Sequence, residues 1–317
     1  MRFGVRLAVQ GEMGSAEASY EGARDMAVEA EALGFNSVWI PDHVVNAHMD
    51  VAVPMFDSWT LLSAIAVQTE RVRLAGHTFN NALRNPAVLA KMAATLDVIS
   101  GGRLIYSLGS AWFKREAEGY GLPWDDHDDR VARLKESFQI ADALWTQDVS
   151  TFKGRFYSLD EAVLEPKPRQ QPRIPFWVPG DSEATRALAA ELADVWLIYS
   201  KPPETIAEWA ADMTRRRSGR PLPMAVSTVS LVGLSQASVD EWSVKYAKER
   251  EHRFAVPPTP EDVLRENIWG PPEACIARIQ ALEAAGVEEV IIQPIPPVDG
   301  MRAFARDVML AFTSSWG

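Results

Sequence analysis

The sequence predicts an α/β protein built as a closed (β/α)8 barrel, the TIM-barrel architecture. Three observations carry this. Eight short apolar runs recur along the chain, too continuous for strands with one wet face, which marks buried parallel strands. A helical pattern follows each of them, and strict alternation of eight such units implies a sheet that closes on itself. Polar residues gather where the runs end, as in Trp39-Ile40-Pro41-Asp42-His43, and the C-terminal ends of barrel strands are where catalytic groups collect.

In chain order the predicted strands are Phe3–Val9, Ser37–Ile40, Val72–Ala75, Leu104–Leu108, Phe176–Val178, Val195–Tyr199, Met224–Val232 and Glu289–Gln293. The helices are Tyr20–Leu33, Ser58–Val67, Ala87–Ile99, Arg130–Trp145, Glu183–Leu192, Thr205–Arg217, Glu273–Ala285 and Met301–Phe312. Gly34 and Gly286 each follow a helical run and relieve the left-handed residue after it. Two stretches break the rhythm: 147–175, with Pro166, Pro168, Pro172 and Pro175, and 252–272, with prolines at 257, 258, 260, 271 and 272. Inserts of that length beside strands that border the barrel mouth read as substrate-capping lids, with ordered surface decoration as the alternative.

A chain of 317 residues, 47% of them hydrophobic, suffices for one barrel core, so a single elaborated domain over 1–317 is expected. The formal net charge of −11 argues against nucleic acid or an anionic membrane as the main partner. The lone Cys275 excludes an internal disulfide framework and fits a reducing compartment. The chain enters its first strand without a basic segment and apolar targeting core, and no apolar run reaches membrane-spanning length, so a cytoplasmic protein is expected.

From Ser37-Val38-Trp39-Ile40-Pro41-Asp42-His43 onward, the chain resembles the bacterial luciferase-like flavin- and deazaflavin-dependent oxidoreductases. The resemblance continues through Arg84-Asn85-Pro86, Thr95-Leu96-Asp97, Ser100-Gly101-Gly102-Arg103, and Gly109-Ser110-Ala111-Trp112 with Glu116 and Tyr120-Gly121. Further along come Trp177-Val178-Pro179-Gly180, Ala193-Asp194-Val195-Trp196, and Gly270-Pro271-Pro272-Glu273 through Gly286-Val287. Each motif is weak alone; their order along one chain carries the assignment. It implies the same barrel, a homodimer, and either coenzyme F420 or FMN as cofactor. Asp42-His43 is similar to the F420-dependent branch, which makes F420 the first expectation and FMN the alternative.

A reduced flavin or deazaflavin needs a flat apolar slot, donors to its polar edge, a phosphate cradle and a nearby proton carrier. His43 suits the last role because imidazole titrates near neutrality, and Asp42 beside it could orient a ring or receive a hydroxyl proton. The resemblance assigns His43 as acid or base; the bland alternative is a histidine merely hydrogen-bonded at a strand end. Gly76-His77-Thr78-Phe79-Asn80 ends the third strand, and in similar proteins a non-proline cis peptide here backs the ring; the bland alternative is a glycine-containing strand end without strain. At the fourth strand end, Gly109 and Ser110 let a ligand approach the backbone, Trp112 offers a wall, and Glu116 either serves the site or complements a helix dipole. Gly180 and Ser182 open a helix whose free amides suit a phosphate. Relatives more often carry a second glycine there and no carboxylate, whereas this chain has Pro179 and Asp181; Asp181 reads as a helix cap pointing away. Arg84 is placed to reach an anionic group, and Arg215, Arg216, Arg217 and Arg220 read as a solvated face. Trp39, Trp177 and Trp196 read as barrel packing.

With F420, hydride passes between the ring and a small organic substrate while His43 moves the accompanying proton. With FMN, reduced flavin from a separate reductase activates oxygen and His43 serves that reaction instead. A metal-dependent hydrolase using His43 and His77 is the first rival, weakened because the five histidines include no His-x-His or His-Glu-x-x-His pattern. A non-catalytic accessory subunit is the second. A Schiff-base aldolase is weaker, since Lys91 and Lys114 fall away from strand ends. Substrate identity is set by the two inserts, which follow no readable pattern.

Overall fold

The computed structural model describes residues 1–9, 19–47, 50–250 and 258–315. His48, His252 and the first part of the second insert, 252–257, lie outside them. The first half of the chain runs β1 (Arg2–Arg6), α1 (Tyr20–Ala32), β2 (Ser37–Ile40), α2 (Ser58–Ala66), β3 (Arg73–Gly76), β4 (Phe79–Asn80), α3 (Pro86–Ile99), β5 (Leu104–Gly109), α4 (Lys114–Gly119) and α5 (His127–Thr146). It continues with β6 (Ser150–Lys153), β7 (Ser158–Ala162), β8 (Phe176–Pro179), α6 (Glu183–Leu192), β9 (Val195–Tyr199), α7 (Pro203–Arg216) and β10 (Met224–Val232). The remainder is α8 (Gln236–Arg250), α9 (Pro260–Glu266), β11 (Ile268–Gly270), α10 (Pro272–Ala284), β12 (Val287–Pro294) and α11 (Pro297–Asp307), then a 3-10 turn.

Eight strands close the barrel in the order β1-β2-β3-β5-β8-β9-β10-β12 and back to β1, every pairing parallel. The predicted (β/α)8 architecture is therefore present, with differences at the element ends. The first strand stops at Arg6 rather than Val9, although Leu7 N still donates to Trp39 O at 2.9 Å. The helix expected from Arg130 begins at His127 because Asp126 caps it, accepting from Asp129 N at 2.9 Å. Asn85 caps α3 in the same way with Pro86 in the first turn, where proline's missing N–H costs nothing. The last predicted helix, Met301–Phe312, starts earlier at Pro297 and gives way to 3-10 geometry after Asp307.

Side chains alternate across each strand, and that period sorts the barrel into layers. Trp39, Ala75, Ile105, Trp177, Leu197, Ala225 and Ile291 form a buried inner cluster. Gly4 faces the same interior, since a Cβ there would run into Ser37 Oγ, Trp39 Nε1 and Ile291. Two residues further along their strands come Arg6, His77, Tyr199, Ser227 and Gln293, a polar layer at the mouth.

The described residues of both inserts include regular elements. Residues 147–175 contain the β6–β7 hairpin, which lies along α5: Glu136 accepts the amides of Arg155, Phe156 and Tyr157 at 2.6, 3.0 and 3.0 Å. The described part of 252–272 supplies α9 and β11, which join α8, an unanticipated helix. Val239, Tyr246, Ala247, Val263 and Trp269 form a second core with Val229, Leu231 and Ile295. The last three continue the inward-facing rows of β10 and β12, so α8 and α9 stand over the β10–β12 side of the mouth. No helix among the described residues is long and apolar enough to cross a membrane.

Candidate active site

His43 follows β2 at the mouth and is buried there. Its Nδ1 lies 2.9 Å from Glu116 Oε2. Glu116, on α4, is 2% exposed and accepts from Val44 N at 2.6 Å and from the Asn80 side-chain amide at 3.2 Å. Donors therefore surround the carboxylate on both oxygens, and an acceptor-only carboxylate fixes the imidazole with its proton on Nδ1. Glu116 thus holds a histidine rather than complementing a helix dipole. Trp112 and Phe113 meet the imidazole edge-on, with ring centres 5.7 and 6.4 Å away.

Asp42 is turned to a different task. Its Oδ1 accepts from Ser58 Oγ at 2.7 Å, and its Oδ2 accepts from Asn80 N at 2.9 Å and pairs with Arg84 Nη1 at 2.7 Å. The other arm of Arg84 reaches Asp57 Oδ2, also at 2.7 Å. Burial pushes the Asp57 carboxyl up, but the amide and hydroxyl of Thr60 and the Arg84 guanidinium outweigh it and hold the group below its ordinary value. Arg84, expected to reach an anionic ligand, is spent on these two carboxylates.

The peptide bond between His77 and Thr78 is cis, as the family resemblance implies. His77 Nε2 lies 2.7 Å from Ser227 Oγ, and its ring meets Trp39 and Tyr199 edge-on. Gly76 and Gly109 admit no side chain: a Cβ on the first would strike the Phe79 ring, and one on the second Thr78 Oγ1. Trp112 is 52% exposed at the rim. Ser110 lines a cleft of about 210 Å³ beside the mouth, together with Asn81, Arg84, Arg130, Arg133 and Tyr157.

At the β8–α6 junction Gly180 has φ +109°, a value L side chains avoid. Ser182, not Asp181, caps α6, accepting from Thr185 N at 3.2 Å; Asp181 is exposed just outside the helix. His127 Nε2 lies 3.0 Å from Ser182 Oγ. These groups fit a phosphate cradle: a backbone that tolerates close approach, a helix N-terminus and an imidazole donor.

Sequence reasoning did not single out His127, Tyr199, Ser227 or Ser58. Alternation along β10 puts Ser227 on the same face as the inward Ala225, and the Asp126 cap starts α5 early enough to carry His127. Of the arginines on and after α7, Arg215 and Arg216 are ion-paired surface groups: Arg216 reaches Glu183 and Asp212 at 2.7 Å each, and Arg215 reaches Asp212 at 3.2 Å, while Arg217 and Arg220 donate to the carbonyls of Ala190 and Arg217. Trp39, Trp177 and Trp196 are buried. Among the described residues no group of three or more His, Cys, Asp or Glu side chains is placed to hold a metal ion.

At the mouth of the closed parallel barrel the structure thus brings together the carboxylate-held His43, the backbone of Gly76 to Thr78 and the turn at Gly180. Residues 1–289 match the luciferase-like monooxygenase family, and the chain belongs to it. Among curated proteins it is 26% identical over 282 residues to an FMNH(2)-dependent dimethylsulfone monooxygenase of Pseudomonas putida, covering 80% of this chain and 77% of that one. It is 27% identical over 303 residues to an F420-dependent glucose-6-phosphate dehydrogenase of Amycolatopsis mediterranei (strain U-32), covering 87% of this chain and 90% of that one. Among solved structures, an F420-dependent secondary alcohol dehydrogenase in complex with an F420-acetone adduct superposes with a TM-score of 0.82 at 20% identity, over 97% of this chain and 98% of that one. EDTA monooxygenase from Chelativorans sp. BNC1 gives 0.83 at 17% identity, over 100% and 94%. At those identities the structural likeness speaks to the fold. The chain is an enzyme of the oxidoreductase class, with relatives of both cofactor types.

Proposed function

We propose that the protein transfers hydride between coenzyme F420 and a small organic substrate, with His43 as the acid or base. The observation that carries the reading is the 2.9 Å bond between His43 Nδ1 and Glu116, which fixes one imidazole tautomer at the mouth. Transfer of a hydride to or from an alcohol or carbonyl carbon leaves one proton to be placed on oxygen or removed from it. A positioned imidazole supplies that step near neutral pH.

When bound, the deazaflavin supplies the hydride donor or acceptor. The residues to hold it are the backbone at Gly76, His77 and Thr78 behind the ring, Asn80, Gly109, Ser110 and Trp112 around it, and Gly180, Ser182 and His127 at its phosphate. Glu116 orients His43, Asp42 braces the Asn80 backbone, and the α8–α9 cap keeps water from one side of the mouth. A homodimer and a separate reductase that recycles the cofactor belong to the same proposal.

A second reading, an FMN-dependent monooxygenase, has one observation in its favour. Asp125, Asp126, Asp128 and Asp129 flank His127, and Asp181 adjoins Ser182. Arg133 and Arg155 pair with Asp125 and Asp129 at 2.5 Å, so the cradle offers no clear surplus of positive charge for the anionic tail that F420 carries beyond its phosphate.

Separate fluorescence titrations with F420 and FMN, oxidised and reduced, test the proposal, together with turnover of His43→Ala. Tight F420 binding with turnover lost in His43→Ala is the expected result. Selective binding of reduced FMN moves the enzyme to the monooxygenase reading, and binding of neither overturns both.

A further inference from the structure

Arg84 lies in the connection between β4 and α3, on the wall of the cleft that Ser110 also lines, and a chain of short bonds joins it to His43. Its guanidinium, with a side chain 14% exposed, lies 2.7 Å from Asp42 on one arm and 2.7 Å from Asp57 on the other. Asp42 Oδ2 also takes the backbone amide of Asn80 at 2.9 Å. The Asn80 side chain donates at 3.2 Å to Glu116 Oε2, the oxygen that lies 2.9 Å from His43 Nδ1. Asn80 Oδ1 accepts from Ala82 N at 3.0 Å, which sets the orientation of that amide. Among the described residues Arg84 is the one ion-pair partner of both Asp42 and Asp57.

We propose that Arg84 is a positioning residue for proton transfer at His43, acting through Asp42, Asn80 and Glu116. The inference rests on His43 as the proton carrier. A buried carboxylate whose cation is removed must find water or a proton, because an uncompensated charge is costly there. Either outcome loosens the hold of Asp42 Oδ2 on the Asn80 amide. Asn80 then loses the frame that aims its side chain at Glu116, and Glu116 loses a donor that holds the oxygen facing His43. The imidazole gains freedom without losing any direct contact. Two bonds from one planar group set this arrangement, so lysine restores the charge but only one of the two anchors.

The test is nitrogen NMR of the histidines in protein without added cofactor, read beside kinetics and cofactor affinity. The His43 signals are assigned by their loss in His43→Asn. Expected for Arg84→Gln are His43 nitrogen shifts moved from the single fixed tautomer toward an average of two, and kcat lowered roughly ten- to a hundredfold. The fall in kcat should exceed any change in cofactor Kd or substrate KM, because both arms of Arg84 are engaged by Asp42 and Asp57. Arg84→Lys should fall between the two, and Asp57→Asn should show a smaller change of the same kind. Unchanged His43 shifts in Arg84→Gln and Arg84→Lys overturn the inference, as does a loss of kcat matched by a loss of cofactor affinity. If Arg84→Gln does not fold, Arg84→Lys and Asp57→Asn decide by the same criteria. Failure of the functional reading shows separately, as turnover that survives in His43→Asn.

Discussion

Replacing Glu116 with glutamine keeps the shape of the side chain and removes its charge. In the protein Oε1 accepts from Val44 N at 2.6 Å, while Oε2 serves His43 Nδ1 at 2.9 Å and the Asn80 amide at 3.2 Å. If the glutamine oxygen stays with Val44, its NH2 faces another NH2 on Asn80 and can meet His43 only as a donor. His43 must then accept at Nδ1 and carry its proton on Nε2, the wrong tautomer for a base at the mouth. The opposite flip sets an NH2 against the Val44 amide and loses that bond. A hydrogen bond to a charged group contributes roughly 1.5–3 kcal/mol, and a misplaced general acid or base forfeits about 10²–10⁴ in rate. We expect kcat/KM to fall by at least about a hundredfold, close to 3 kcal/mol of transition-state stabilisation. The assay is steady-state turnover with the cofactor that the titrations select, with cofactor Kd and the unfolding midpoint measured in parallel. A kcat/KM within threefold of wild type in a folded variant would refute the assignment of Glu116. So would a loss accounted for entirely by weaker cofactor binding.

Three further predictions address the shelf, the barrel floor and the single thiol. Gly109→Ala drives a methyl group into Thr78 Oγ1 and within 3.4 Å of Pro179; overpacking of this kind costs about 1–3 kcal/mol, so both the melting temperature and cofactor affinity should drop, and retention of both would show that the shelf yields. Burial raises the Glu289 carboxyl above its usual value, against the Ser37 hydroxyl and the Arg2 and Arg73 charges that pull it down. The folded protein therefore binds that proton more readily than the unfolded chain, and stability is lost as pH rises from the ordinary carboxylate value through the raised one. Glu289→Gln should be more stable than wild type at pH 8 and indistinguishable from it near pH 3; a deficit at pH 8 measured by denaturant unfolding contradicts this. Cys275 is buried, its thiol is pushed up to about 12, and Sγ faces Gly270 O at 3.6 Å, so alkylation at pH 8 should require unfolding, and rapid labelling of the native enzyme would count against that burial.

The barrel was legible because its signal is repeated: eight buried strands spell near-continuous apolar runs, and an error at any one leaves the pattern standing. What escaped was local. The α8 helix opens with Gln236-Ala237-Ser238-Val239-Asp240-Glu241 and packs only a small second core, so its apolar residues are too few to mark one face. The start of α5 was missed because Asp125 to Asp129 holds no apolar residue to extend the helical period, although Asp126 is the cap that begins the helix. At the site, residue type pointed to His43, but neighbours in sequence misled about roles. Asp42 is adjacent to His43 in the chain, and alternation across the strand turns its carboxylate to Ser58, Asn80 and Arg84. The carboxylate that touches the imidazole comes from position 116, which only the folded chain brings near.

That division of labour bears on how one scaffold serves two chemistries. The bonds that orient His43 run through Glu116, Asn80, Asp42 and Arg84, on β2, β4 and α4 and the connections beside them. The phosphate cradle lies elsewhere, where Gly180 and Ser182 on the β8–α6 side meet His127 on α5. The cap over the mouth is a third unit, with its own small core on β10 and β12. The three units are built on different elements, and changes at distant sites without shared partners usually add independently. A positioned imidazole is useful both to hydride transfer and to oxygen chemistry, and it is the part of the site least able to tell them apart. On the proposed function, cofactor preference is to be sought in the charges around His127 and Ser182, and substrate preference at α8 and α9. Exchanging Asp126, Asp128 and Asp181 for asparagine should strengthen F420 binding relative to FMN while leaving the His43 nitrogen signals where they are. A shift in those signals would show that cradle and proton carrier are coupled after all.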